Sequence, residues 1–530
     1  MKKYIALIIV LTLIALWPFA KKGYFESHDG EWMVIRFSAF HQTLSAGQFP
    51  VRFVDRLNDN YGYPVLNFLY PLPFYISEIS KILGFDFVNS IKITFVLATL
   101  TSTLAMFWAL SQLFEKRASL AGSILYLFIP YRFVDLYVRG SLGESLAFAF
   151  IPLVAGSIFK ISKGQMIYIP LLSVFLSLLI LSHNVIAVLF LPFFFIASLI
   201  LIKKSRLLIL LPFLLSLLIT AFFWFPAIYD LQFVKASQFK VSNISDHLVG
   251  FSKLIVPSWG YGPTPGGQNS LSVQLGIVPI FIVISAIFLR ILGKTKNRFV
   301  EFQILLFFVV LILMTKVSLP FWQKVPLVDV VQFPWRLLSL IVFTSAFLTS
   351  YIIDSVPPKK TLVILIISAS LVSTIVYTRP KTFVDRGDGF YATNEDSTTV
   401  AREYLPLWVK EKPTSRADVK IQLENSGQII SSNIRPAKYQ AEIITGEQTK
   451  VWVDTIYFPG WKVKVDHQSV PIDYHNKYGL INFNLPQGKH QVIIKYARSP
   501  VHLASELISI VAILATGFYF SYFLWRKQNS

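Results

Sequence analysis

The sequence predicts a polytopic α-helical membrane protein with about 12 transmembrane helices and an extracytoplasmic antiparallel β-sandwich domain near the C-terminus. Of its 530 residues, 54% are apolar and only 15% are charged, whereas soluble domains are about 45–50% apolar and about 25% charged. The mean hydropathy is +0.57. Long apolar runs fill most of the chain, but residues 378–502 show the alternation of strands. The excess apolar surface is therefore expected to face lipid.

Apolar runs of about 17–25 residues are long enough to cross the hydrocarbon core of a bilayer as helices. The sequence contains twelve such runs, at 4–20, 91–114, 118–134, 142–160, 166–181, 184–202, 207–229, 273–293, 299–315, 337–354, 361–377 and 503–525. The first run resembles a secretory signal, but no A-x-A cleavage site follows it, and the next residues are Lys21 and Lys22. We therefore expect it to remain as the first span.

Basic side chains between the apolar runs set the predicted orientation. With the N-terminus inside, nearly all of them fall on the cytoplasmic side of a plasma-membrane protein, which is the usual bias. They are Lys2, Lys3, Lys116, Arg117, Lys160, Lys163, Lys203, Lys204, Arg206, Lys294, Lys296, Arg298, Lys359, Lys360, Arg526 and Lys527. Both termini are then cytoplasmic, and the long polar segments are extracytoplasmic. Because the net charge of +20 is scattered in this way, nucleic acid is not expected as a partner.

The predicted domains are a transmembrane domain at 1–377, which includes a first extracytoplasmic loop at 21–90, a β-sandwich domain at 378–502, and a final helix with a short cytoplasmic tail at 503–530. In the loop, Trp32, Ile35, Phe40 and Leu44 recur at helical spacing after Asp29, which predicts a helix in the membrane interface. In the β-domain, runs such as KVWVDTIYF and HQVIIKYA are separated by the turn signals FPGW and LPQGKH. The chain has no cysteine, which excludes disulfides and thiol chemistry.

Ionisable side chains cluster at the outer ends of the predicted spans. Such residues are costly at membrane depth, so they usually face a cavity or one another. The acidic motif after the first span supplies the candidate catalytic residues His28, Asp29 and Glu31. The candidate substrate-binding residues are Arg36, Arg52, Tyr61, Arg132, Arg139, Glu144, His183, Asn184, His247, Gln332 and Arg336. Taken singly, each also fits a simpler role as a helix cap, a headgroup anchor or ordinary loop polarity.

Together, these side chains fit a reaction on a lipid that carries a phosphate. A carboxylate can take a proton from an acceptor hydroxyl, while arginine forks can hold phosphate oxygens. The Gly- and Pro-rich loop 257–270 either closes over such a site or is an inert surface loop. A divalent metal would need oxygen ligands from Glu26, Asp29 or Glu31, but no Asp-x-Asp pair supports it, and no cofactor is expected. Nucleotide-binding and serine-hydrolase motifs are absent from the sequence.

Several segments resemble those of known membrane protein families. A first span, a long outer loop with the motif SHDGE, many further spans and an outer β-domain resemble the GT-C class of membrane glycosyltransferases. The motifs GQFPVRF, YGYPVLNFLYPLPFY, SHN, QFPWRLL, REYLP, FPGWKVKVD and LPQGKHQVIIKYA look like the bacterial YfhO-like family. They are also similar to the related membrane proteins labelled 6-pyruvoyl-tetrahydropterin synthase-related.

The GT-C resemblance implies a sugar linked to polyprenyl phosphate as the donor, and a glycan, lipid or protein as the acceptor at the outer face of the bilayer. It also implies an inverting transfer, with an acidic residue of the first outer loop as the base. Asp29 occupies the matching position. Several members of the class have a second acidic residue beside it, where this chain has His28, and Glu31 is the nearby alternative.

Two other functions remain open at the level of sequence. Twelve spans are equally compatible with a transporter or flippase of lipid-linked glycans, although no internal repeat is evident. A non-catalytic envelope scaffold that presents the β-domain is the third possibility. The aromatic residues Trp408, Trp452, Phe458 and Trp461 either stack on sugars or form the core of the β-domain.

Overall fold

The computed structural model describes residues 1–203, 207–238, 243–265, 269–293, 297–325, 328–425 and 427–528. The predicted cytoplasmic signals at 204, 206, 294 and 296, and positions 266–268 of the loop 257–270, lie outside these ranges. Numbered in chain order, the helices are α1 Lys2–Ala15, α2 Gly30–Ser45, α3 Val65–Phe68, α4 Leu72–Ile82, α5 Phe87–Leu110, α6 Lys116–Leu127, α7 Pro130–Phe133, α8 Leu142–Ser162, α9 Tyr168–Ser182, α10 Asn184–Leu201, α11 Leu207–Ile219, α12 Ala221–Asp230, α13 Phe251–Ile255, α14 Ile277–Ile291, α15 Arg298–Leu313, α16 Leu319–Lys324, α17 Val328–Val331, α18 Leu338–Ser355, α19 Lys359–Thr374, α20 Asp388–Thr393 and α21 Pro500–Gln528.

Within the described residues, six helical segments are long and apolar enough to cross a membrane. Two further pairs are bent, by 47° between α6 and α7 and by 65° between α11 and α12, and bring the number to eight if each pair is one span. The prediction of a multi-pass helical membrane protein is therefore confirmed. Each of the twelve predicted runs coincides with a helix or a broken pair, but some of these helices are short, and the count of twelve spans stays a prediction.

The C-terminal part of the chain forms antiparallel sheets. The strands are β1 Tyr24–Phe25, β2 Phe383–Val384, β3 Ile421–Leu423, β4 Gly427–Arg435, β5 Lys438–Thr445, β6 Thr449–Ile456, β7 Trp461–Val465, β8 Gln468–Val470, β9 Leu480–Leu485 and β10 Gly488–Tyr496. One sheet has the order β4-β5-β10-β7-β8, and another has the order β3-β6-β9. Both sheets contribute to one buried cluster, which includes Tyr439, Val451 and Ile494. A C-terminal β-region is thus confirmed, while its description as a sandwich remains a prediction.

The first loop is wedged between the helices and the segment that leads into the β-region. Its strand β1 pairs with β2, and α2 packs against α4, α5 and α20. The helix predicted for the membrane interface is therefore largely buried as α2, because protein covers its faces. Helix α4 and the residue that follows it instead carry three of the exposed apolar side chains of the loop, at Ile79, Ile82 and Leu83.

The broken helix that begins with α6 positions several of the polar side chains. After α7, residues Val134–Arg139 form a π-helix, and Gly140 ends it with a left-handed φ of 62°. π-Helical turns are rare and occur frequently at functional sites. Asp135 and Arg139 are four residues apart within this turn, and α8 begins directly afterwards with Glu144 in its first turn.

Candidate functional site

Glu144 is the centre of a buried network of charged side chains. Its Oε1 lies 2.7 Å from Nη1 of Arg139 and 3.1 Å from Nε of Arg336. Its Oε2 accepts a hydrogen bond of 2.9 Å from the hydroxyl of Tyr131. Nε2 of His183 lies 3.7 Å from Oε1. Residues from α7, the π-helix, α8, the α9–α10 link and the start of the helix containing α18 therefore converge on one carboxylate.

Asp135 completes this network, which we call the Glu144 cluster: Asp135, Arg139, Glu144, His183 and Arg336. Asp135 Oδ1 accepts a hydrogen bond of 2.9 Å from Nη1 of Arg139, and Oδ2 accepts one of 3.1 Å from the hydroxyl of Ser145. Each of the two guanidinium groups is thus paired with at least one buried carboxyl group. Such pairing is what makes buried charges tolerable in a medium of low dielectric constant.

The acidic motif of the first loop docks directly on this cluster. The backbone N–H of His28 donates to the carbonyl of Val138 at 3.0 Å, and that of Asp29 donates to the carbonyl of Arg139 at 2.8 Å. Gly140 permits the close approach, because a Cβ atom there would overlap Oγ of Ser27 and would lie 3.1 Å from Cα of Gly30. The two segments, about a hundred residues apart in sequence, are therefore fixed to each other by main-chain bonds.

The carboxylate of Asp29 is half-buried and has no hydrogen-bond donor among the described residues. Asp29 precedes the first turn of α2, but its side chain does not cap the helix. It lies close enough to Arg139 and Arg336 to interact electrostatically with both. Asp29 thus differs from the two carboxylates of the Glu144 cluster, which are occupied by protein donors.

His28 contacts the loop 257–270, which the sequence singled out. Its Nε2 lies 3.0 Å from the carbonyl of Tyr261, and burial lowers the pKa of its imidazole. The hydroxyl of Tyr261 in turn donates to the carbonyl of Arg379 at 2.6 Å. The ring of Trp259 stacks on Tyr377 at 4.8 Å. His28 therefore connects the acidic motif to the described part of the loop 257–270.

Three other predicted residues lie beside the Glu144 cluster. Gln332 accepts a hydrogen bond of 2.9 Å from Nη1 of Arg336. His247 packs its ring 4.7 Å from that of Phe333, and burial lowers its pKa. Asn184 is exposed at the start of α10, where its Oδ1 lies 3.2 Å from the backbone nitrogen of its own neighbour, Val185.

Glu31 and Arg36 lie on α2 but are engaged elsewhere. Glu31 pairs with Arg386 at 3.5 Å. The side chain of Arg36 is buried and donates from Nε to Oγ1 of Thr398 at 3.0 Å, and also to the carbonyl of that residue. Both side chains therefore bind the first loop to the segment before the β-region rather than joining the Glu144 cluster.

Arg52, Tyr61 and Arg132 are also placed away from the Glu144 cluster. Arg52 donates to Asn67 at 3.2 Å and to the carbonyl of Phe222 at 2.7 Å. The carbonyl of Tyr61 accepts a hydrogen bond from the backbone of β6 at 2.8 Å. The guanidinium of Arg132 lies 4.1 Å from the ring centre of Phe148 and donates to Ser102 at 3.1 Å.

Tyr70 and Asp135 belong to the site but were not among the predicted site residues. The ring of Tyr70 packs on that of His183 at 4.8 Å, and its electrostatic neighbours are Asp29, Arg36, Glu144 and Arg139. The spacing of Asp135 and Arg139 was a usable signal, because a four-residue interval brings two side chains together on a helix. Tyr70 gave no such signal, since it lies in a run of aromatic residues and prolines.

The described residues contain no group of three or more His, Asp or Glu side chains arranged to hold a metal ion. No protein-family profile matches the chain, and no curated protein matches it. Among solved structures, the chain is similar to a cryo-electron-microscopy structure of a mutant of the arabinofuranosyltransferase AftD from Mycobacteria, with 14% sequence identity and a TM-score of 0.45. The similarity covers 71% of this chain and 27% of that one, so it spans about a quarter of the other protein.

Proposed function

We propose that the protein is a membrane glycosyltransferase of the GT-C kind, which moves a sugar from a polyprenyl-phosphate-linked donor to a glycan, lipid or protein acceptor at the extracytoplasmic face of the plasma membrane. The observation that carries the proposal is the Asp29 carboxylate. It is held beside Arg139 by main-chain hydrogen bonds, yet none of the described residues donates a hydrogen bond to it. A half-buried carboxylate that none of the described protein donors occupies can meet an acceptor hydroxyl and take its proton, while the two nearby arginines are placed to hold the phosphate.

The arginines supply the second part of the proposed site. Nη1 of Arg139 and Nε of Arg336 are engaged with carboxylates, but in the described structure Nη2 of each guanidinium forms no hydrogen bond to protein. These N–H groups are available to phosphate oxygens. The pairing with Glu144 also keeps both guanidinium planes in place before a substrate arrives, which reduces the cost of ordering them.

In the proposed reaction, the hydroxyl oxygen of the acceptor forms a bond to the anomeric carbon of the donor sugar. The bond between that carbon and the phosphate oxygen breaks, and its electron pair leaves with polyprenyl phosphate. Asp29 takes the proton of the hydroxyl. Attack opposite the leaving phosphate inverts the anomeric configuration. The lipid chain stays in the bilayer, which fits the position of the Glu144 cluster at the ends of the apolar helices.

The decisive experiment compares Asp29→Asn with the wild type in proteoliposomes. Polyprenyl phosphates linked to radiolabelled glucose, galactose or mannose are the donors, and a cell-envelope extract provides acceptors. Loss of a general base lowers a rate by about 100-fold or more, so we expect transfer to fall at least that far while the unfolding temperature is unchanged. Glu26→Gln is the matched control, since Glu26 belongs to the same motif but pairs with Lys381 at 2.8 Å.

The same experiment separates the alternatives. Full transfer by Asp29→Asn, or no transfer by the wild type with any donor, would contradict the proposal. Movement of the labelled lipid between leaflets without transfer would instead indicate a flippase of lipid-linked glycans. A protein with neither activity would fit an envelope scaffold.

A further inference from the structure

The phosphate of the proposed sugar donor needs N–H or O–H groups to bond to. Many of the N–H groups in this site already form hydrogen bonds to protein. Nη1 of Arg139 serves both Asp135 and Glu144. Nη1 of Arg336 serves the carbonyl of Val331 and the side chain of Gln332. Both guanidinium groups are also paired with carboxyl groups of the Glu144 cluster, and a negative charge on Asp29 beside them would repel a phosphate. An uncharged donor directed into the site would relieve this shortage without changing the charge balance.

Tyr70 is held in a position to be that donor. Its side chain is only 4% exposed, and its ring lies between His183, at 4.8 Å, and the start of α8. Gly143 makes this position possible, because a Cβ atom there would overlap the Tyr70 ring and would lie 2.7 Å from the carbonyl of Ser182. The ring therefore has little freedom to turn away.

The hydroxyl of Tyr70 is unengaged. Within the described ranges it forms no hydrogen bond, and unlike the hydroxyl of Tyr24 it is not sealed from solvent. It is close enough to interact electrostatically with Asp29, Glu144 and Arg139, so it lies near both the open carboxylate and the Glu144 cluster. Burial raises the pKa of the phenol, with Asp29 acting in the same direction, so the group stays protonated at neutral pH and can donate.

We propose that the Tyr70 hydroxyl donates a hydrogen bond to a phosphate oxygen of the polyprenyl-phosphate-linked sugar, and that it keeps this bond to the polyprenyl phosphate that leaves. This inference rests on the proposed function. The phenol supplements the remaining N–H groups of Arg139 and Arg336. Because the contact is to an anion, it is stronger than a bond between neutral groups. It also grows in importance as negative charge accumulates on the departing phosphate.

The test measures binding of two probes to the purified full-length protein, undecaprenyl phosphate and undecaprenol, which lacks the phosphate. In Tyr70→Phe, the affinity for undecaprenyl phosphate should fall about tenfold or more, as expected for loss of a hydrogen bond to a charged group. The affinity for undecaprenol should be unchanged. Tyr126→Phe is the matched control, because Tyr126 is equally buried but donates to the carbonyl of Phe148 at 2.9 Å.

The outcomes distinguish this inference from the proposed function. Unchanged phosphate affinity in Tyr70→Phe, or an equal loss for both probes, would overturn the role of Tyr70 while leaving the glycosyltransferase proposal intact. Failure of the wild type to bind undecaprenyl phosphate would overturn both. A selective loss for the phosphate probe in Tyr70→Phe but not in Tyr126→Phe would support the contact.

Discussion

Two buried polar clusters join the first loop to the helices, and they are built differently. The Glu144 cluster lies under Asp29. The second, which we call the Asp230 cluster, consists of Arg52, Asn67, Asp230, His502 and Glu506. In it, Asp230 Oδ2 accepts hydrogen bonds from Asn67 at 2.8 Å and from His502 at 3.1 Å. Both clusters contain carboxylates that are almost fully buried, so burial of charge alone does not distinguish them.

The difference lies in what surrounds each network. Next to the Glu144 cluster, Asp29 and Tyr70 present an acceptor and a donor that no described residue uses. In the Asp230 cluster, Asn67, Asp230 and His502 bond to one another and tie the loop to α12 and α21. The Nε of Arg52 has no partner among the described residues, but it is sealed from solvent. A network sealed from solvent stabilises the packing of the elements it joins, whereas unused groups that a substrate can reach are suited to form a site. The comparison therefore supports the chemistry proposed for the Glu144 cluster and its surroundings, and favours a structural role for the Asp230 cluster.

The largest effect is expected when the Glu144 cluster loses its central charge. Glu144→Gln leaves Arg139 in contact with Asp135, but among the described residues it leaves the buried Arg336 without a carboxylate in direct contact. Removing one member of a buried ion pair costs about 3–5 kcal/mol, so the variant should unfold at a much lower temperature or fail to accumulate. The measurement is thermal unfolding of the detergent-solubilised protein.

Glu115→Gln is the control for this prediction, because Glu115 pairs with Lys359 at 2.8 Å but is 58% exposed. It should leave the unfolding temperature unchanged, since exposed pairs contribute little. A Glu144→Gln variant as stable as the wild type would show that the cluster is not a closed electrostatic network. The distinction between the two clusters would then fail.

The features that the sequence predicted correctly are those that follow from composition and hydrophobic periodicity. The apolar runs predicted a multi-pass helical protein, and alternating residues such as those of β6 and β10 predicted the C-terminal sheets. The expectation that Asp29 lies near distant arginines matches the geometry for Arg139 and Arg336, although their function stays a prediction. Membrane insertion is costly for any charge, so residues that persist at span ends tend to gather.

Other features depended on packing that no periodicity encodes. The π-helix at Val134–Arg139 was not predicted, and Glu144 occupies guanidinium groups of Arg139 and Arg336 that the sequence assigned to substrate. Arg52 joined the Asp230 cluster instead, because the first turn of α12 and the start of α21 meet the first loop there. Tertiary contacts decide which carboxylate pairs with a given arginine, and these contacts cannot be predicted from a single sequence.

A smaller effect is expected in the Asp230 cluster. Asp230→Asn retains an oxygen that can accept from Asn67 or His502, but it loses the charge and one acceptor. We expect a loss of about 1–2 kcal/mol in stability, with transfer of sugar by the folded protein unchanged. Thermal unfolding and the transfer assay, done on the same preparation, check both parts. Loss of sugar transfer in a stable Asp230→Asn variant would indicate a catalytic role for the Asp230 cluster. The proposed difference between the two clusters would then be wrong.

The smallest effect concerns His28, which links the acidic motif to Tyr261. Burial lowers the pKa of this imidazole below its usual 6.5, so the unfolded chain binds the proton more readily than the folded protein does. The contribution of His28 to stability is therefore complete above pH 6.5 and is lost as the pH falls from there toward the lowered pKa. His28→Gln, which keeps a donor for the carbonyl of Tyr261, should make the unfolding temperature less sensitive to acid over that interval and match the wild type above it. An identical acid dependence in both proteins would mean that burial does not hold the imidazole of His28 neutral in the folded protein. The acidic motif would then be positioned mainly by its main-chain bonds to Val138 and Arg139.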